Sequence, residues 1–142
     1  MTLDLNLEAK LERATRISGL KRSALEFLII EMDENGERHH SAFSLAVALH
    51  EHRTGKNADN IPAATVCEAF VKLAKQRYGM LAKSVLASFG VKSTRDIGLA
   101  VYSLIATEFL RASSSDSIQD FDDVFDWDET LDYTEELKSV EI

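Results

Sequence analysis

The chain has 142 residues, of which 45% are hydrophobic and 28% charged, a composition typical of one globular domain with a buried core. Its single cysteine, Cys67, excludes an intramolecular disulfide and favours a reducing compartment. No apolar run is long enough to span a membrane, and the N-terminus lacks the cationic start and apolar run of a signal peptide. We therefore predict a cytoplasmic protein with no membrane attachment.

Apolar residues recur at intervals of three and four along most of the chain, which predicts helices rather than strands. A first helix is predicted from about Leu7 to Ile17, with Leu11 and Ala14 on the same buried face as these two residues. Gly19 is placed to stop it.

The next two helices are predicted from their start signals. Ser23 and Glu26 have the spacing of a capping box, so a second helix begins at Ser23. A turn at Asn35 and Gly36 follows, and a third helix starts near Ser41. The polar segment from residue 54 to residue 61 is interpreted as a loop.

Pro62 suits the first turn of a fourth helix, whose two apolar stripes place it at the centre of the bundle. Gly79 ends this helix. A short helix that starts at Leu81 is stopped by Gly90, with Val91 placed for the hydrophobic contact that accompanies a glycine stop.

Ser93 or Thr94 caps the last long helix, and Gly98 inside that helix predicts close packing against a neighbouring helix. Together the elements predict an all-α fold, a compact bundle of five to six helices; the interpretation also allows a short two-stranded β element. We divide the chain into an N-terminal helical extension (residues 1–38), a helical core domain (39–128) and an acidic mobile tail (129–142).

Residues 40–128 contain an ordered series of short motifs. It includes Tyr78-Gly79-Met80-Leu81-Ala82, Val85-Leu86, Phe89-Gly90-Val91, Thr94-Arg95-Asp96-Ile97-Gly98, Asp116-Ser117, Asp120-Phe121 and Val124-Phe125-Asp126. This series resembles the pattern of Minf, a family of small bacterial proteins. The resemblance implies a compact helical domain with no assigned activity and no catalytic or ligand residues to carry over. The chain departs from the pattern at Asn60, Met80, Leu81 and Phe89, and it adds the N-terminal extension.

The net charge of −8 is concentrated at one end of the chain. From Asp116 onward there are eleven acids and one lysine, a charge of −10, whereas residues 1–115 carry 15 bases and 13 acids, a charge of +2. Such asymmetry often marks an interaction tail, although it also fits a tail that only keeps the protein soluble.

A serine-rich stretch from Arg111 to Asp120 predicts a flexible connection, and acidic and aromatic residues alternate beyond it. We regard them as the candidate partner-binding residues: Asp120, Phe121, Asp122, Phe125, Asp126, Trp127 and Asp128. The aromatic rings either dock on the helical body or enter a partner's groove while the acids steer towards a basic surface. Because the Minf resemblance runs through this stretch, docking of residues 120–128 is favoured, and residues beyond about Tyr133 are predicted to be mobile.

Other constellations are weaker. His39, His40, His50 and His52 suggest a small metal-dependent hydrolase, but His50 and His52 are two residues apart rather than the four that a zinc-protease helix needs. Cys67 lies on an apolar stripe, which predicts a core residue rather than a nucleophile. The aspartates after Asp120 lack the glycine and glutamate of a calcium loop.

The turn before the last long helix, with Lys83, Lys92 and Arg95 nearby, resembles a helix-turn-helix. Three bases beside a strongly acidic tail are a poor surface for phosphates, so nucleic acid is not the favoured partner. The leading hypothesis is a non-enzymatic adaptor or regulatory module with a protein partner, no catalytic site, no metal site and no cofactor. The alternatives are the metal-dependent hydrolase and a nucleic-acid-associated protein with an autoinhibitory acidic tail.

Overall fold

A computed structural model describes residues 5–31, 35, 37, 39–55, 61–111 and 117–131. These residues form seven α-helices and two short 3₁₀ helices, and none of them is in a β-strand. The α-helices are α1 (Leu5–Ser18), α2 (Arg22–Ile29), α3 (Ala42–Thr54), α4 (Ala63–Tyr78), α5 (Ala82–Ser88), α6 (Thr94–Ala106) and the four-residue α7 (Trp127–Thr130). The 3₁₀ helices span Gly79–Leu81 and Ile118–Phe121. The predicted all-α bundle is confirmed.

Helix α4 lies at the centre of the bundle, as its two apolar stripes predicted. It packs against α3, α5 and α6, and its buried residues lie on several sides of the helix: Ala63, Thr65, Val66, Cys67, Ala69, Phe70, Val71, Leu73 and Ala74. Pro62 is the N-cap of this helix, one position before the predicted first turn. Gly79 ends it, as predicted.

Helix α1 packs against α6 and buries Leu11 and Ala14. The prediction that Ile17 shares this face is wrong, because its side chain is 51% exposed. Ser18 occupies the buried side instead, and its hydroxyl accepts a hydrogen bond from the backbone N–H of Leu20 (3.1 Å). The chain turns just after this point, so the apolar stripe continues through Leu20, which is buried, rather than through Ile17.

The predicted capping box at the start of α2 is also wrong. The helix begins at Arg22 with Lys21 as its N-cap, and Lys21 makes no side-chain capping bond. Glu26 does not reach back to the N-cap because its carboxylate accepts a hydrogen bond from Arg22 Nε (2.8 Å). The Arg22 guanidinium also pairs with Glu8, and this pair joins α1 to α2 and lowers the pKa of the Glu8 carboxyl. An ion pair has replaced the cap.

Three start and stop signals are confirmed. Ser41 caps α3, in a capping box with Ser44. Gly90, with φ of 93°, ends the short helix α5, and the N–H of buried Val91 donates to the carbonyl of Leu86 (2.9 Å), as in a Schellman motif. Ser93 caps α6, because its hydroxyl accepts from the N–H of Asp96.

Leu81 departs from the prediction. The short helix was predicted to start at this residue, but Leu81 lies in a 3₁₀ helix before α5 and is 65% exposed.

The described part of the N-terminal extension shares one hydrophobic core with the rest of the chain. Leu11, Ala24, Leu25 and Leu28 are fully buried in this core, and Leu131 is 3% exposed in the same core. Several predictions fall on residues outside the description: Met32, Gly36, Asn60, Tyr133 and the ranges 56–59, 112–116 and 132–142. Within the described residues, no helix has the length and apolar character needed to cross a bilayer.

Candidate functional site

The C-terminal segment, residues 117–131, is attached to the bundle through Phe121. This ring is 3% exposed and lies directly on the backbone of α6 at Gly98. A Cβ added to Gly98 would come within 2.7 Å of Phe121 Cβ and Cγ, so only glycine leaves room for the ring. Tyr102, one turn farther along α6, meets the Phe121 ring edge to face with centroids 6.2 Å apart. Gly98 was predicted to pack closely against a neighbouring helix, and the element that lies there is the 3₁₀ helix Ile118–Phe121 of the C-terminal segment.

A second anchor is the hydroxyl of Thr94, which is buried at the start of α6. It donates to the backbone carbonyl of Phe121 (2.6 Å) and accepts from the backbone N–H of Val124 (3.3 Å). One side chain thus satisfies two polar backbone groups of the segment. Because an unsatisfied buried polar group costs about 1–3 kcal/mol, this hydroxyl fixes where the segment lies.

Two aspartates of the segment stabilise its local turns. Asp120 accepts from the backbone N–H of Ser117 (2.8 Å) at the start of the 3₁₀ helix. Asp126 is the N-cap of α7, and its Oδ1 accepts from the N–H of Glu129 (2.9 Å). Aspartate suits both positions because its short carboxylate reaches the free N–H groups of a helical start.

Two further aspartates pair with bases of the helical body. Arg95 Nη1 donates to Asp122 Oδ1 (2.7 Å), and Lys83 Nζ lies 2.7 Å from Asp128 Oδ1. The first pair is about half exposed and the Asp128 side chain of the second is 78% exposed, so each pair is worth at most about 1 kcal/mol. Asp123 lies between them in the chain and pairs with no base among the described residues. Its carboxylate is exposed.

The segment and the start of α6 enclose a surface groove of about 560 Å³, hereafter the acidic groove. The rings of Phe125 and Trp127 are half buried there and almost parallel, with an angle of 8° and centroids 6.4 Å apart. The residues that line the groove are Ser93, Thr94, Arg95, Asp122, Asp123, Phe125, Asp126, Trp127 and Asp128. Four carboxylates and one guanidinium leave its lining with a net charge of −3.

Five of the seven candidate residues line this groove: Asp122, Phe125, Asp126, Trp127 and Asp128. Phe121 does not, because it belongs to the core, and exposed Asp120 lies outside the lining. Sequence reasoning did not include Asp123, Thr94 or Arg95 in this site. Asp123 could have been found from its place in the acidic run, whereas the other two are brought in from α6 by the tertiary fold.

The histidines form two groups. His39 and His40 precede α3 and contact Arg77 of α4, whose Nη2 lies 2.5 Å from His39 Nδ1 and donates to the His40 carbonyl (2.8 Å). His50 and His52 lie within α3. In the part of the chain that the structure describes, no three histidine, cysteine or acidic side chains are grouped so as to hold a metal ion.

Cys67 is fully buried in α4, as predicted. Burial in an apolar environment raises the pKa of its thiol to about 12. The thiolate needed for nucleophilic attack is therefore scarce at neutral pH.

No family model, curated protein or solved structure matches the chain. The resemblance to Minf stays a prediction.

Proposed function

We propose that this protein is a non-enzymatic adaptor or regulatory module that binds another protein through the acidic groove. The observation that supports this most is the unequal use of the three aromatic rings of the C-terminal segment. Phe121 is buried against Gly98 and holds the segment, whereas Phe125 and Trp127 are left half exposed beside carboxylates. Rings of this kind on a fixed support are enriched at the centres of protein interfaces.

The fixed support favours binding in a second way. The Phe121 ring and the Thr94 hydroxyl hold the segment before any partner arrives. A partner would then not have to supply the free energy of ordering the segment, which is a main cost of binding for flexible tails. A groove that is formed before binding is a reason for the acidic and aromatic segment to be anchored in the core by Phe121.

The test compares affinity purification from the native cell with three forms of the full-length protein. These are the unmodified protein, the double variant Phe125→Ala/Trp127→Ala, and the control Ile17→Ala, which also removes an exposed apolar side chain but does so outside the groove. We expect a partner that is captured by the first and third proteins and lost from the double variant. Helical circular dichroism should be unchanged, because both rings are only half buried.

Two results would contradict the proposal. One is a partner retained by the double variant at the level of the unmodified protein. The other is unfolding of the double variant, which would assign these rings a structural role instead.

The proposal also includes two predictions, one about the cellular compartment and one about the source of the protein. A reducing cytoplasm is supported by the lone, buried thiol of Cys67, and a bacterial source by the resemblance to Minf. The cytoplasmic location can be tested by fractionation of the native cell.

A second candidate function is favoured by the ion pairs of the segment. Lys83 of α5 and Arg95 of α6, two of the three bases of the helix-turn-helix-like region, are each paired with an acid of the segment, Asp128 and Asp122. This arrangement supports a weak nucleic-acid binder whose acidic segment occupies its own basic groups.

Deleting the segment is not a usable test of this candidate, because the deletion would also remove the core residue Phe121. The double variant Asp122→Asn/Asp128→Asn releases both bases and leaves the anchor in place. Binding of a short duplex DNA that appears only in this variant and weakens with added salt would favour the candidate. Equal binding, or none, in both proteins would count against it.

A further inference from the structure

We infer that the acidic groove takes an arginine side chain of the partner protein. This inference rests on the proposed function and specifies its chemistry. It starts from the net charge of −3 in the lining, which favours a cationic ligand over a neutral or anionic one.

The acceptors of the groove are only partly used within the chain. Asp126 uses Oδ1 to cap α7, Asp122 uses Oδ1 to bind Arg95, and Asp123 pairs with no base in the described part of the chain. Each of these carboxylates has a second oxygen or a whole group to offer. A ligand with several N–H donors in a fixed plane can reach more than one of them at a time.

The aromatic rings narrow the choice of cation. The rings of Phe125 and Trp127 are nearly parallel, are half buried and line the groove together with the carboxylates. A guanidinium is planar and weakly hydrated, so it can stack on an aromatic ring while its edge donates to a carboxylate. A lysine ammonium is a compact and strongly hydrated point charge that uses this combination less well.

The chain itself contains both halves of this interaction. At one edge of the groove, the guanidinium of Arg95 already binds Asp122 with an N–O distance of 2.7 Å. Elsewhere in the molecule, the guanidinium of Arg77 lies over the ring of Phe27, 5.1 Å from its centroid. An arginine from a partner would combine these two contacts in one place.

The groove carries its own reporter, because Trp127 is the only tryptophan in the chain. The experiment titrates the full-length protein with a short, otherwise uncharged synthetic peptide that contains two arginines, and it follows Trp127 fluorescence. Matched peptides carry lysine or citrulline at the same positions. Lysine keeps the charge without the plane, and citrulline keeps the plane without the charge.

We expect saturable binding of the arginine peptide, weaker binding of the lysine peptide, no detectable binding of the citrulline peptide, and loss of affinity with added salt. The variant Asp123→Asn should weaken the arginine peptide by up to about fivefold, equivalent to about 1 kcal/mol. The control Glu129→Gln removes the same charge from an exposed residue that does not line the groove, so its affinity should change less.

Equal binding of the citrulline peptide would overturn the inference, because stacking alone would then explain the affinity. Equal binding of the lysine peptide would also overturn it, because the groove would then select only charge. In another outcome, the arginine peptide leaves Trp127 fluorescence unchanged while capture of a partner still depends on Phe125 and Trp127. That result would refute the inference but not the proposed function. Capture of the partner that did not depend on Phe125 and Trp127 would refute the proposed function itself.

Discussion

The contact between Gly98 and Phe121 gives the sharpest prediction, because two known effects of one substitution oppose each other. Replacing glycine by alanine inside a helix ordinarily stabilises the folded state by about 1 kcal/mol. In Gly98→Ala, however, the new methyl carbon would lie 2.7 Å from two carbons of Phe121 and 3.0 Å from a third. Carbon atoms in favourable contact are about 3.5–4.0 Å apart, so the ring or the helix must move.

The size of the penalty follows from the two ways to relieve this overlap. Shifting the backbone to make room for an extra methyl group typically costs about 1–3 kcal/mol. Releasing the Phe121 ring instead forfeits about 1.5–3 kcal/mol of burial. Subtracting the gain of about 1 kcal/mol in helix propensity leaves a net destabilisation of about 0–2 kcal/mol if the backbone shifts and about 0.5–2 kcal/mol if the ring is released.

The assay is urea unfolding followed by far-UV circular dichroism and by the fluorescence of Trp127, which reports on the segment. The control is the variant Phe121→Gly, which removes all three clashing carbons. In that background Gly98→Ala should stabilise the protein by about 1 kcal/mol, so the effect changes sign. If Gly98→Ala stabilised the unmodified protein by that amount, Phe121 would not be seated on α6 and the account of the segment would be wrong.

Three further predictions concern the core and an ion pair. Thr94→Val keeps the shape of the side chain but removes the hydroxyl that serves Phe121, so it should cost about 1–3 kcal/mol in the same unfolding assay, whereas Thr94→Ser should cost less. The thiol of Cys67 should react with a thiol reagent only when the protein opens, so the labelling rate should rise steeply with urea; rapid labelling of the native protein would contradict its burial. The pKa of Glu8 is lowered mainly by its hydrogen bond to Arg22, so this pair stabilises the folded protein at pH values above the ordinary glutamate pKa of 4.5. That stability is lost as the pH falls through the lower pKa of the folded state. Glu8→Gln should therefore make the thermal stability less sensitive to acid, and an unchanged pH profile of the melting temperature would refute this prediction.

The helical fold was predictable from the sequence because its signals are local. The intervals between apolar residues decide which face of a helix can be buried, and this holds for the central helix α4. Ser41 and Gly90 satisfy or redirect backbone groups only a few residues away, so their roles can be read from spacing. The local prediction at Ser23 failed because Glu26 pairs with Arg22, one turn earlier in the same helix, and Arg22 in turn pairs with Glu8 of α1.

The roles of the aromatic residues in the C-terminal segment were decided only by the tertiary structure. By sequence alone, Phe121, Phe125 and Trp127 are equally good candidates for burial. Phe121 is the one in the core because Gly98 lacks a side chain at the place where the ring lies and because Thr94, 27 residues earlier, binds its carbonyl. The sequence by itself determined that the segment is acidic and aromatic, and that the body is helical. Which ring anchors it and which two face the groove depends on contacts between distant residues, and no local pattern records these.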